Sequence, residues 1–189
     1  MRNAAIVVAA LAVLVLAGGA YLETGNGGGA PVVEAGNGDA RVRLHDAAGN
    51  PVGVAKLTEE DGDVLVRVNA HGLTPGFHGF HVHATGVCAA PFTTAGGHFN
   101  AGTAGHPGHS GDMPVLLINA DGTGEARFKT DRFAISDLFD ADGSAIIVHA
   151  GVDNYANIPT RYSAGGPDAT TLGTGDAGAR AACGVVEGG

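Results

Sequence analysis

The sequence predicts an all-β fold, an antiparallel sandwich or barrel, on three observations. Short segments alternate apolar and polar side chains with period two, turn-forming residues separate them at short intervals, and helical periodicity is almost absent. Glycine accounts for 33 of 189 residues without a three-residue period, which excludes collagen, and the β-branched and aliphatic content excludes a wholly disordered chain. The strands follow in order. Arg41–His45, Val52–Lys56 and Val64–Asn69 alternate cleanly, with turns at Ala48-Gly49-Asn50-Pro51 and Glu60-Asp61-Gly62-Asp63. A fourth strand is expected over Phe77–Thr85, and others over Pro114–Asn119, Glu125–Lys129, Ala145–Ala150 and Ala182–Glu187. Asn119–Gly124 reads as a hairpin turn. Two long connections remain, residues 86–113 and 151–181, and a small β domain rarely keeps loops of that length without a use for them.

The strands begin only after residue 38. Met1-Arg2-Asn3 followed by the apolar run Ala4–Ala17 reads as an export signal, with small residues at Gly18-Gly19-Ala20 for a cut after Ala20. Extended to Leu22, the same run is long enough to stay as an uncleaved membrane anchor. Tyr21–Gly38 holds six glycines and reads as a flexible tether, which leaves residues 39–189 as the folded domain. The destination is the periplasm, the cell envelope or the outside. Export also permits oxidation of Cys88 and Cys183, the only two cysteines, although two free thiols remain an alternative at this point.

Ten basic residues against 19 acidic ones give a net charge of −9, which argues against nucleic acid as a partner. Small molecules or ions are expected instead. Six of the nine histidines fall within residues 78–112: His78, His81, His83, His98, His106 and His109. On a strand, His81 and His83 share one face and can grip one ion, while His78 lies on the inner face with Phe80 and Val82 and is read as a buried histidine bonded to a carbonyl. His106-Pro107-Gly108-His109-Ser110-Gly111-Asp112 offers two nitrogens and a carboxylate oxygen, most of a zinc shell. An all-imidazole set suits copper, and the chain has material for both metals. His45 and His71 are read as ordinary surface or turn histidines.

Five motifs in order resemble the copper,zinc superoxide dismutases: Gly79-Phe80-His81-Val82-His83, Gly97-His98-Phe99-Asn100, His109-Ser110-Gly111-Asp112, Val148-His149-Ala150 and Gly178-Ala179-Arg180-Ala181-Ala182-Cys183-Gly184-Val185. The resemblance spans about residues 40–187 and implies an eight-stranded antiparallel Greek-key barrel with two functional loops. It implies copper, one per chain, on His81, His83, His98 and His149, and zinc, one per chain, on His98, His106, His109 and Asp112. His98 would bridge the two metals and take and return a proton in turnover. Asp153 would link ligands of the two metals from behind, Cys88 and Cys183 would form a disulfide, and Arg180 would draw in superoxide. Monomer and homodimer are both compatible with the sequence. One departure stands out: the resemblance leads one to expect more residues between the second and third zinc ligands, whereas only Pro107 and Gly108 separate His106 from His109. The rival reading is an exported copper-binding or storage protein on the same fold, without turnover; a zinc hydrolase is disfavoured because both shells are closed by protein ligands.

Overall fold

A computed structural model describes residues 38–189. The expected export signal (1–20) and nearly all of the tether (21–38) lie outside the described residues. The strands are β1 (Asp39–Asp46), β2 (Pro51–Glu60), β3 (Asp63–Ala70), β4 (Gly76–His78), β5 (Phe80–His83), β6 (Leu116–Ile118), β7 (Gly124–Thr130), β8 (Ala145–His149) and β9 (Arg180–Gly188). Among the described residues, helix is limited to short 3-10 turns at Thr93–Ala95 and Ile135–Phe139 and to a one-turn α1 (Thr171–Thr174).

Seven strands form one antiparallel sheet in the order β5-β8-β9-β1-β2-β3-β7, and β4 pairs with β6. The connections from β3 to β4 and from β7 to β8 cross between distant strands, as in a Greek key. Strands of both sheets fill one main core, which includes Val42, Leu44, Leu57, Val66, Phe80, Leu116, Ile118, Ile146 and Val148. Period-two alternation thus translates directly into the buried face.

Two expectations need correction. Phe77–Thr85 is not one strand, because the chain changes partners at Gly79: His78 pairs with Leu116 and Phe80 pairs with Val148. The break has a packing cause. A Cβ on Gly79 would lie 2.6 Å from the Ala177 Cβ, and the Gly79 backbone bonds loop Gly151 and His149 instead of a regular neighbour. The eight expected segments therefore become nine strands. The turn at Asn119–Gly124 does form, with the Asn119 N–H donating to the Thr123 carbonyl, but β6 and β7 then enter different sheets rather than a hairpin.

Beyond the main core lies a smaller apolar cluster on the opposite face of β8 and β9, made by Phe92, Ala95, Ala145, Ile147 and Cys183 with Cys88 against it. It seats the 86–113 loop on the outside of the sheet. Cys88 and Cys183 form a disulfide, which decides between the bridge and free thiols.

Candidate metal centre

All four residues of β5 are buried, yet they serve two purposes. Phe80 and Val82 enter the core, while His81 and His83 face the loops. As the outermost strand of the sheet, β5 has a free edge, and the loop uses it. The Phe99 N–H donates to the Val82 carbonyl and the Val82 N–H to the Gly111 carbonyl, so that His83 stands opposite His98 and His81 opposite Asp112. Only glycine fits at 111, where a Cβ would sit 2.4 Å from the Val82 oxygen. His149 arrives at the end of β8 past a register shift. Sequence-distant residues are thus brought together by backbone pairing, not by side-chain contact alone.

The ring nitrogens sort into two overlapping groups. Ligand atoms of His81, His83, His98 and His149 lie within 4.8 Å of one another, and so do those of His81, His98, His106 and Asp112. His109 was expected in the second group in place of His81; its Nδ1 lies 3.2 Å from Asp112 Oδ2. The other Nδ1 atoms approach the same carboxylate, His98 at 2.7 Å and His106 at 3.1 Å. In the first group the Nε2 atoms of His83 and His149 face each other at 3.3 Å.

The outward nitrogens are anchored. His83 Nδ1 lies 3.0 Å from the Gly96 carbonyl and His149 Nδ1 3.2 Å from that of Gly178. Asp153 spans the two groups, with one oxygen 2.6 Å from His81 Nε2 and the other 2.8 Å from His106 Nε2. The family resemblance implies Asp153 in this position, whereas no motif points to Gly175, Tyr155 or Arg132. A Cβ on Gly175 would fall 2.1 Å from Asp153 Oδ1, and the Tyr155 ring lies parallel to that of His106 at 6.4 Å. Nothing local distinguishes Gly175 among so many glycines. The Arg132 guanidinium donates to the carbonyls of Pro107 and His109.

A metal fits this arrangement. His81 Nδ1 is buried without a hydrogen-bond partner, a costly state unless it ligates something, and the buried Nδ1 atoms of His106 and His109 face only the Asp112 carboxylate they share. Burial pushes His83 down to about 2 and His149 down to about 3, and it also lowers His81 and His109, so these rings stay neutral with lone pairs available. Burial would lower His106 as well, but hydrogen bonds to Asp112 and Asp153 raise it to about 9. Those two carboxyls, although buried, are held well below the usual carboxylate range by the same histidines. Two buried carboxylates shared by converging histidine nitrogens define a site for a cation.

A hollow of about 420 Å³ opens onto this centre, lined among others by His83, His98, His149, Thr174, Asp176 and Arg180. Arg180 donates from Nη1 to the Phe92 carbonyl and from Nη2 to the Gly96 carbonyl. The remaining histidines behave as expected. His78 is buried with both ring nitrogens against carbonyl oxygens, those of His149 and Thr74, and His45 and His71 lie outside the centre. Arg161 stacks over Tyr162 and does not line the hollow.

Fold and site together define an antiparallel β protein with a paired, histidine-rich metal centre on the outside of its sheet. Residues 52–186 match the family model for copper/zinc superoxide dismutase. The copper-zinc superoxide dismutase of Mycolicibacterium paratuberculosis is 45% identical over 158 residues, covering 73% of this chain and 69% of that protein. That of Brucella abortus is 35% identical over 164 residues, covering 77% and 87%. Among solved structures, the Brucella abortus enzyme superposes with a TM-score of 0.64 at 33% identity, over 79% of this chain and 99% of that one. A SOD-like protein from Bacillus subtilis gives 0.64 at 30% identity, over 77% and 96%. The chain belongs to the copper/zinc superoxide dismutase family.

Proposed function

We propose that the chain disproportionates superoxide, with copper held by His81, His83, His98 and His149 and zinc by His98, His106, His109 and Asp112. The observation that carries this is the disposition of ring nitrogens. His81, His83, His106 and His149 each spend one nitrogen on a carboxylate or carbonyl and keep the other for the cluster. His98 aims Nδ1 at Asp112 and keeps Nε2 for the four-imidazole group, which is what a bridge between two metals requires. Since His81 Nε2 is taken by Asp153, its single free nitrogen serves one ion only, and His109 completes the second shell.

Bound copper supplies one-electron exchange between two oxidation states, and zinc supplies fixed positive charge. Two superoxide ions and two protons become one dioxygen and one hydrogen peroxide. With the metals bound, His98 Nε2 would carry one of the two protons whenever it is not ligating copper and pass it to the reduced product, while Nδ1, on the Asp112 side, keeps the ring in position. Arg180, held by two carbonyls at the hollow, orients the anion; burial lowers its pKa, yet a guanidinium stays charged at any working pH. Asp153 fixes the tautomers of His81 and His106, the usual work of a carboxylate behind metal-bound imidazole.

Residues 1–20 direct export, 21–38 tether and 39–189 carry the activity. The disulfide supports export, since such bonds persist in oxidising compartments.

Metal analysis and stopped-flow superoxide decay on the purified protein test the reading. One copper and one zinc per chain are expected, with activity lost on copper removal and regained on its return. A fully loaded protein that consumes no superoxide would overturn it in favour of copper storage.

A further inference from the structure

The short His106–His109 loop raises a question of support. His106 is held from several sides: its N–H donates to the Leu172 carbonyl, its Nε2 meets Asp153, and Tyr155 lies parallel to its ring. His109 lacks such a frame. Its local hydrogen bonds run to Asp112, which it is meant to join in binding the ion. Among the described residues, the hydrogen bonds that reach this turn from a distant part of the chain on the His109 side come from Arg132. A single guanidinium nitrogen, Nη1, donates to the Pro107 carbonyl at 2.7 Å and approaches that of His109 at 3.3 Å.

Arg132 is itself well placed to hold something. It follows β7, its N–H donates to Thr130 Oγ1, and the next residue, Phe133, is buried in the core. The side chain therefore reaches from a fixed point of the barrel to the stretch that separates His106 from His109.

We propose that Arg132 is a positioning residue for zinc, a clamp that fixes the carbonyls on either side of Gly108 and thereby the direction of His109 Nδ1. The clamp makes up for a loop too short to brace its own third nitrogen ligand. This inference rests on the zinc assignment, and a wild-type protein that takes up no zinc would refute that assignment rather than the clamp alone.

The test compares Arg132→Ala and Arg132→Lys with the wild type, all loaded with copper and zinc. Zinc release to a colorimetric chelator, the visible spectrum with cobalt in place of zinc, and the melting temperature of the metal-free proteins are measured. Arg132→Ala is expected to release zinc roughly tenfold faster, the lower end for loss of a group that braces a metal ligand. Its cobalt bands should shift, and its metal-free form should melt with the wild type. Arg132→Lys should fall between, since one ammonium can reach either carbonyl. Unchanged release and spectrum in a zinc-binding protein would overturn the clamp. So would an equal loss of melting temperature with and without metal, which would make Arg132 a general structural contact.

Discussion

Among single residues, Gly175 is the least replaceable member of the site that carries no functional group. Its φ of 58° is already strained for an L side chain, at a cost of order 1–3 kcal/mol. The steric demand is more specific, because a Cβ would fall 2.1 Å from Asp153 Oδ1 and 2.5 Å from His106 Nε2. Gly175→Ala must therefore push Asp153 away from His106 and leave a buried ring nitrogen without its partner. Zinc affinity should fall about 10–100-fold, and copper retention should fall with it because the same carboxylate holds His81. Competition with a chelator measures both. Wild-type affinity for both metals would show that Asp153 moves without consequence.

Among the elements, the 86–113 loop depends on an attachment distant in sequence. The Cys88–Cys183 bond ties it to β9 across a separation of 95 residues, beside the small apolar cluster that includes Phe92 and Ala95. In the chain-entropy model, opening a loop of that length costs about 4–5 kcal/mol. The same loop supplies the Phe92 and Gly96 carbonyls that hold Arg180. Cys88→Ser with Cys183→Ser should thus lower the melting temperature and also the superoxide rate with copper bound; calorimetry and stopped-flow decay of the copper-loaded pair decide it. A large thermal loss with an intact rate would uncouple Arg180 from the loop. These elements differ in how far they could be read from sequence. Alternation exposed β1, β2 and β3, and His81 and His83 two residues apart on a strand announced a shared face. The split at Gly79 was hidden, because a strand that changes sheets keeps its local pattern while its partners change. His98 showed in the histidine cluster and Asp112 in its spacing from His106 and His109, whereas His149 was legible only through the family resemblance. The pairing of the loop along the β5 edge, and the clamps at Arg132 and Gly175, arise from contacts between distant segments and leave no local trace.

At the scale of the whole molecule, charge opposes the proposed reaction. A chain of net charge −9 repels a monoanionic substrate, and among the described residues that line the hollow over the metal centre Arg180 is the only lysine or arginine, with Asp176 also in the lining. The two influences differ in range. Repulsion by the distributed acidic surface acts over a Debye length, roughly 30 Å at 0.01 M salt and 8 Å at 0.15 M, so added salt weakens it. Attraction by Arg180 acts over a few ångströms in a partly dry hollow and survives screening better. Arg180→Ala removes the short-range attraction and leaves the long-range repulsion. Its kcat/KM should fall about tenfold with metal content unchanged, and should then rise as salt is added. Wild-type kcat/KM should respond less steeply over the same range. Arg180→Lys keeps the charge but cannot fork to both Phe92 and Gly96 carbonyls, and should recover part of the rate. Stopped-flow superoxide decay between 0.01 and 0.5 M salt, on proteins of verified metal content, separates the two ranges. A rate unaffected by Arg180→Ala at every salt concentration would assign the whole of the attraction to the metals.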